Sequence, residues 1–230
     1  MALQRHKAVV LTIGQAPRTD VEPLISKWLD PCMDVVQKGV LDGLTPEEIR
    51  AKFEPVPGEF MLATRLVDGH CVTLSAARTE LALQAIIEDS EQEGYEFIIL
   101  LCTGAFPRLK TRTALLFEPE RILTPSIARM AGSSQVGLVI PLPAQSDEML
   151  HKWGSHGAKV TTEAASPYKG TPVEIGEAAR RLAEAGAEMI VLDCMGYTRE
   201  HRIAARQASG KPVILSSELL FKMLSELGES

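Results

Sequence analysis

The chain has 230 residues, 45% apolar and 5% aromatic, with 24 Lys and Arg against 30 Asp and Glu for a formal charge of −6. That length makes one large or two small domains and can bury a core without disulfides. The acidic balance and scarce aromatics exclude a nucleic-acid platform and a basic membrane surface, and no run nears the ~20 apolar residues that span a bilayer.

Runs rich in Val, Ile and Leu at 8–13, 97–101, 136–141, 189–192 and 212–215 lack polar alternation. This predicts strands buried on both faces of parallel sheets; another strand is predicted over 158–162. Amphipathic stretches at 21–29, 79–93, 144–156, 172–185, 198–208 and 216–227 alternate with them as helices, which gives an α/β fold. Residues 31–75 break the rhythm. There Thr45-Pro46-Glu47-Glu48 reads as a capped helix start, and Asp68-Gly69 joins two hairpin strands, 60–67 and 70–74. The segment reads as an insertion in the first half.

The chain also echoes itself. Gly94 and Gly186 stand eight residues before Cys102 and Cys194, Glu96 and Glu188 six before, and Gly104 and Gly196 two after. Matching halves predict two pseudo-symmetric parallel-sheet α/β lobes, with an inserted β-hairpin in the first. The first lobe is expected over 1–120 plus 213–230, the second over 121–212.

The four cysteines are widely spaced with no CxxC, which predicts reduced thiols and a cytoplasmic setting. A cysteine ending a strand is usually a small hydrophobe; Cys32 and Cys71 are read so. Two at equivalent positions of a repeat point instead to function. Ligands of open α/β sheets bind outside the carboxyl ends of strands. There Thr103-Gly104 and Met195-Gly196 offer backbone N–H groups to an anion or a thiolate. Two thiols facing one carbon can remove a proton from one side and return one on the other, with no cofactor. Arg18 suits a bidentate carboxylate or phosphate contact, or is a surface charge; Gln15 is read similarly, and Gln145 is placed to mirror Gln15. Tyr168 either closes the pocket or packs. Tyr197 and Thr198 follow the second thiol, where Thr198 lines the site or caps the next helix. Asp193 points away from Cys194, as a structural or tuning carboxylate. Thr64-Arg65 is a lid-like contact or a solvated strand. His151 and His156 lack metal-ligand spacing, and GxGxxG, GxxxxGK[ST] and GxSxG are all missing. Neither a metal nor a cofactor is expected.

Leu11-Thr12-Ile13-Gly14-Gln15-Ala16-Pro17-Arg18, Leu101-Cys102-Thr103-Gly104-Ala105-Phe106-Pro107 and Leu192-Asp193-Cys194-Met195-Gly196-Tyr197-Thr198 resemble the AroM family. Gly39-Val40-Leu41-Asp42-Gly43 and Ser166-Pro167-Tyr168 extend the resemblance over essentially the whole chain. The halves are similar to the aspartate/glutamate racemase superfamily, with one cysteine per lobe. The resemblance implies acid/base thiols at Cys102 and Cys194, with Thr103 holding a substrate carboxylate. It departs at Met195-Gly196, where the superfamily has Thr-His, and at Gln15-Ala16-Pro17-Arg18, where it has a Gly-rich turn. The expectation is a cofactor-independent racemase or isomerase of a small carboxylate-bearing molecule, homodimeric by analogy. The alternatives are a single-cysteine nucleophilic isomerase and a non-catalytic anion-binding or sensing protein, the latter favoured by Met195-Gly196.

Overall fold

The computed structural model describes residues 5–228. The chain divides into two compact units, with boundaries at 119/120 and 219/220, and the residues after 219 rejoin the first.

In the first unit, β1 (His6–Thr12), β2 (Met33–Gly39), β5 (Phe97–Leu101) and β6 (Leu115–Phe117) form a parallel sheet in the order β2-β1-β5-β6. Every residue of β5 is buried, as its unbroken apolar run requires. Helix α1 (Glu22–Trp28) connects β1 to β2. Then α2 (Pro46–Phe53), the antiparallel pair β3 (Met61–Arg65) and β4 (Cys71–Ser75), and α3 (Ala76–Gln92) precede β5. Val9, Leu11, Ile98 and Leu100 alternate onto one sheet face. They share a core with Leu83 and Ile87 of α3, Leu62 and Leu74 of the hairpin, and Ile49 and Phe53 of α2. The insertion is therefore seated on the main core. It is also shorter than expected, because 33–39 is a parallel edge strand paired with β1.

The second unit opens on α4 (Pro119–Ala131), which starts at the boundary. It continues through β7 (Gln135–Ile140), α5 (Ser146–Ser155), β8 (Lys159–Ala164), α6 (Pro172–Glu184), β9 (Met189–Leu192), α7 (Arg199–Ser209) and β10 (Val213–Leu215). Its parallel sheet runs β10-β9-β7-β8. Read from the other edge, this is the order of the first sheet: β7 matches β1, β8 matches β2, β9 matches β5 and β10 matches β6. The two parallel-sheet lobes and the hairpin are as expected. Residues 213–215, expected to return to the first lobe, instead pair with β9, since the second sheet needs its own counterpart of β6. Helix α8 (Ser216–Ser225) then leads back to the first unit. Among the described residues no helix is long and apolar enough to cross a membrane.

Candidate functional site

In each sheet the chain steps from the first strand to a neighbour on one side and later to the other side. The loops after β1 and β5, and after β7 and β9, thus leave from a topological switch point, where open α/β sheets bind ligands. Both repeat-matched cysteines lie there. Cys102 follows β5 and Cys194 ends the loop step after β9.

The two thiols have matching backbone environments. Cys102 Sγ accepts the Gly104 N–H at 3.4 Å, and Cys194 Sγ accepts the Gly196 N–H at 3.5 Å. An N–H aimed at sulfur stabilises negative charge on it. Their wider surroundings differ. Cys102 is 8% exposed and belongs to the apolar cluster with Leu62 and Phe106. Cys194, 9% exposed, has the Tyr168 hydroxyl 3.7 Å from its sulfur.

Two expected anion contacts in the first unit are engaged by the protein itself. Arg18 is 2% exposed and directs Nε and Nη2 onto the Asp20 carboxylate at 2.8 and 2.7 Å, with Nη1 on Thr12 Oγ1 at 3.2 Å. A buried guanidinium needs a counter-charge, and Asp20 supplies it from two residues away. Gln15 donates to Leu41 O at 3.2 Å and accepts the Val67 N–H at 3.0 Å, which joins the hairpin turn to the loop after β2. Asp42 closes the same corner, accepting the Ala16 and Gly39 N–H groups, both at 2.7 Å. These residues shape the loops. The hairpin overlies them: a Cβ on Gly14 would stand 2.5 Å from Thr64 Oγ1, and one on Gly104 2.9 Å from Leu62 Cδ2. Thr64 is fully buried there rather than solvated. Thr103 is half-buried beside Cys102.

The Cys102 loop is pinned on its far side by α3. Glu80 accepts the Arg108 N–H and Nε at 2.7 and 2.8 Å. Burial pushes the Glu91 carboxyl up, but N–H donors from Thr113, Ala114 and Arg112 outweigh it and hold the group below its ordinary value.

In the second unit, Gln145 is buried and its Oε1 accepts the Leu142 N–H at 3.2 Å. It does not mirror Gln15 in register. Leu11 pairs with Leu100, and Val139 with Leu192, each two residues before its cysteine. Gln15 therefore matches Pro143, and Gln145 lies two residues further on. Thr198 caps α7: its Oγ1 accepts the His201 N–H, and its own N–H donates to His201 Nδ1 at 3.1 Å. Tyr197 is buried, and its hydroxyl donates to Ala165 O at 2.6 Å. Burial first, then the charges of Cys194, Tyr168 and Asp193, raise its pKa well above the ordinary value, so it stays protonated.

Sequence reasoning missed one feature. Asp193 Oδ2 accepts Lys152 Nζ at 3.1 Å and Trp153 Nε1 at 2.9 Å, and both charged side chains are 4% exposed. A carboxylate ending an apolar strand signals that some cation must answer it. That the cation is Lys152 of α5 is tertiary information. A cavity of about 400 Å³, lined in part by Ile49, Arg50, Met61 and Val72, opens beside the hairpin; neither cysteine lines it. Among the described residues no group of three His, Cys, Asp or Glu side chains could hold a metal ion.

Two four-stranded parallel lobes, each with a thiol at its switch point, define a protein of the racemase-like α/β fold. The chain belongs to the AroM family: the family model described as AroM protein matches residues 8–228. Among solved structures, it is similar to the maleate isomerase Iso from Pseudomonas putida S16, with 12% identity, 97% of this chain and 93% of that one covered, and a TM-score of 0.64. It is similar to allantoin racemase from Klebsiella pneumoniae, with 15% identity, 96% and 87% covered, and a TM-score of 0.62. Unliganded arylmalonate decarboxylase gives 12% identity, 99% and 94% covered, and a TM-score of 0.62. At these identities the likeness is one of fold. No curated protein sequence matches.

Proposed function

We propose that the chain is a cofactor-independent racemase or isomerase of a small carboxylate-bearing molecule, with Cys102 and Cys194 as its proton carriers. The observation that carries this reading is the matched placement of the thiols: each leaves the switch point of its sheet, and each sulfur accepts the N–H of the residue two further on. One thiolate takes a proton from the carbon next to the carboxylate and becomes a thiol. The other thiol gives its proton to that carbon and becomes a thiolate. Between the two steps the carbanion is held as an enolate, which backbone N–H groups of the thiol loops can stabilise. Thr103 is the side chain that holds the carboxylate. Solved structures of similar fold described as racemases and a maleate isomerase support the reaction class.

The test is exchange in deuterated water over a panel of chiral carboxylates, read by proton NMR and optical rotation. Deuterium enters at the carbon next to the carboxylate of one of them, and Cys102→Ser and Cys194→Ser each abolish the exchange. Saturable binding without exchange would replace the enzyme by a binding protein.

The apolar packing of Cys102 beside the polar partners of Cys194 favours one second reading, an isomerase in which Cys194 alone attacks the substrate. Cys102→Ser then retains turnover and Cys194→Ser loses it.

A further inference from the structure

Tyr168, expected from the sequence either to close the pocket or to pack, holds a position that gives it a more specific task. The residue lies in the turn between β8 and α6, where Ser166 Oγ accepts the N–H groups of Tyr168 and Lys169 at 3.2 and 3.3 Å. The Gly170 N–H closes the turn on Ser166 O at 2.9 Å. The segment is anchored just before the turn at Ala165, whose N–H donates to Ile140 O and whose carbonyl accepts the Tyr197 hydroxyl. From this turn the Tyr168 ring packs against Gly196. A Cβ there would stand 2.4 to 2.6 Å from ring carbons and the hydroxyl, so only glycine admits the ring. Seated so, the hydroxyl is 3.7 Å from Cys194 Sγ.

We propose that Tyr168 is a positioning residue that donates its hydroxyl hydrogen to the Cys194 sulfur, and so makes Cys194 the thiolate and proton acceptor of the resting protein. The proposal rests on the two-thiol reading for the proton's destination, but not for the contact itself. The Gly196 N–H already donates to this sulfur at 3.5 Å, and the Tyr168 hydroxyl adds a second donor. The Tyr197 hydroxyl is committed to Ala165 O, Asp193 is matched by Lys152, and His201 of α7 stacks edge-on to the Tyr197 ring at 5.8 Å. A hydroxyl donating to the charged form of an acid lowers its pKa.

The experiment is a pH titration of thiolate ultraviolet absorbance, taken as the difference between the protein and its Cys194→Ala variant, with and without Tyr168→Phe. Phe keeps the ring on Gly196 and removes only the donor. The expected midpoint of Cys194 lies below an ordinary thiol's and rises by about one unit in Tyr168→Phe, a roughly tenfold loss of thiolate. Gly196→Ala, which displaces the ring, raises it likewise. An unchanged midpoint in Tyr168→Phe, or a wild-type midpoint at or above the ordinary thiol range, overturns the proposal. The titration reads the sulfur whether or not any substrate turns over, so its failure is separate from failure of the exchange experiment.

Discussion

Asp193 and Leu101 occupy the same place in the two halves, one residue before the cysteine, yet one is a carboxylate and the other a hydrocarbon. The second half therefore carries a buried Lys152–Asp193 pair where the first has packing alone. Breaking such a pair strands a charge, whereas replacing both partners with uncharged residues does not. Lys152→Met is expected to destabilise the protein by about 3–5 kcal/mol, and Lys152→Met with Asp193→Asn, which removes the stranded charge but keeps an acceptor for Trp153 Nε1, to recover most of that loss in urea denaturation. Equal loss in the single and double variants would show that packing, not charge, sets the effect. At this scale the sequence marked where both thiols lie, because the repeat spacing sets each cysteine just past a buried strand. It could not show that Arg18 and Gln15 are held by Asp20, Leu41 and Val67. A polar side chain in a loop reads the same whether it meets a ligand or its own chain.

Among the elements, α7 brings a pH-sensitive joint next to the Cys194 loop. Its capping box uses His201, whose Nδ1 accepts the Thr198 N–H and so must be unprotonated. Burial lowers the His201 pKa, against a smaller raising effect of Glu200. With the folded value below the unfolded one, the unfolded chain takes the proton first. The cap's contribution is fully present above about pH 6.5 and is lost as pH falls through the folded value. Thermal unfolding of the wild type should fall over that window, and His201→Gln, which keeps a capping partner at every pH, should flatten that part of the curve. A parallel fall in both proteins assigns the effect elsewhere. The buried strands were legible as unbroken apolar runs, and the hairpin from Asp68-Gly69. Strand β2 was not: as an edge strand it exposes Asp34 and half-exposes Gln37 and Lys38, so its composition resembles a loop. Helix α4 carries Pro125 inside it, which reads as a breaker, and β6 is only three residues long.

For the whole chain, the second unit is one continuous stretch, 120–219, while the first is completed by residues after 219. Those residues include the buried Leu220, Phe221 and Leu224, Lys222 5.0 Å over the Trp28 ring, and Gly228 packed on Cys32. A chain ending at 219 is expected to retain slow amide exchange in β7 and β9 but to lose it in β1 and β5, measured by hydrogen exchange and mass spectrometry. Equal protection in both sheets would show that the tail is dispensable. The matched sheet orders make this asymmetry plain, since β10 serves its own sheet and only the end of α8 serves the other.

That chain path reverses the usual schedule of vectorial synthesis, in which the amino-terminal domain matures first. On the ribosome the earlier-made half must wait, unfinished, until α8 has emerged, while the later-made half already holds every strand of its sheet. Between those two moments the nascent polypeptide exposes the apolar flank that α8 will cover. A premature termination ahead of α8 would therefore damage the part of the protein that was translated first.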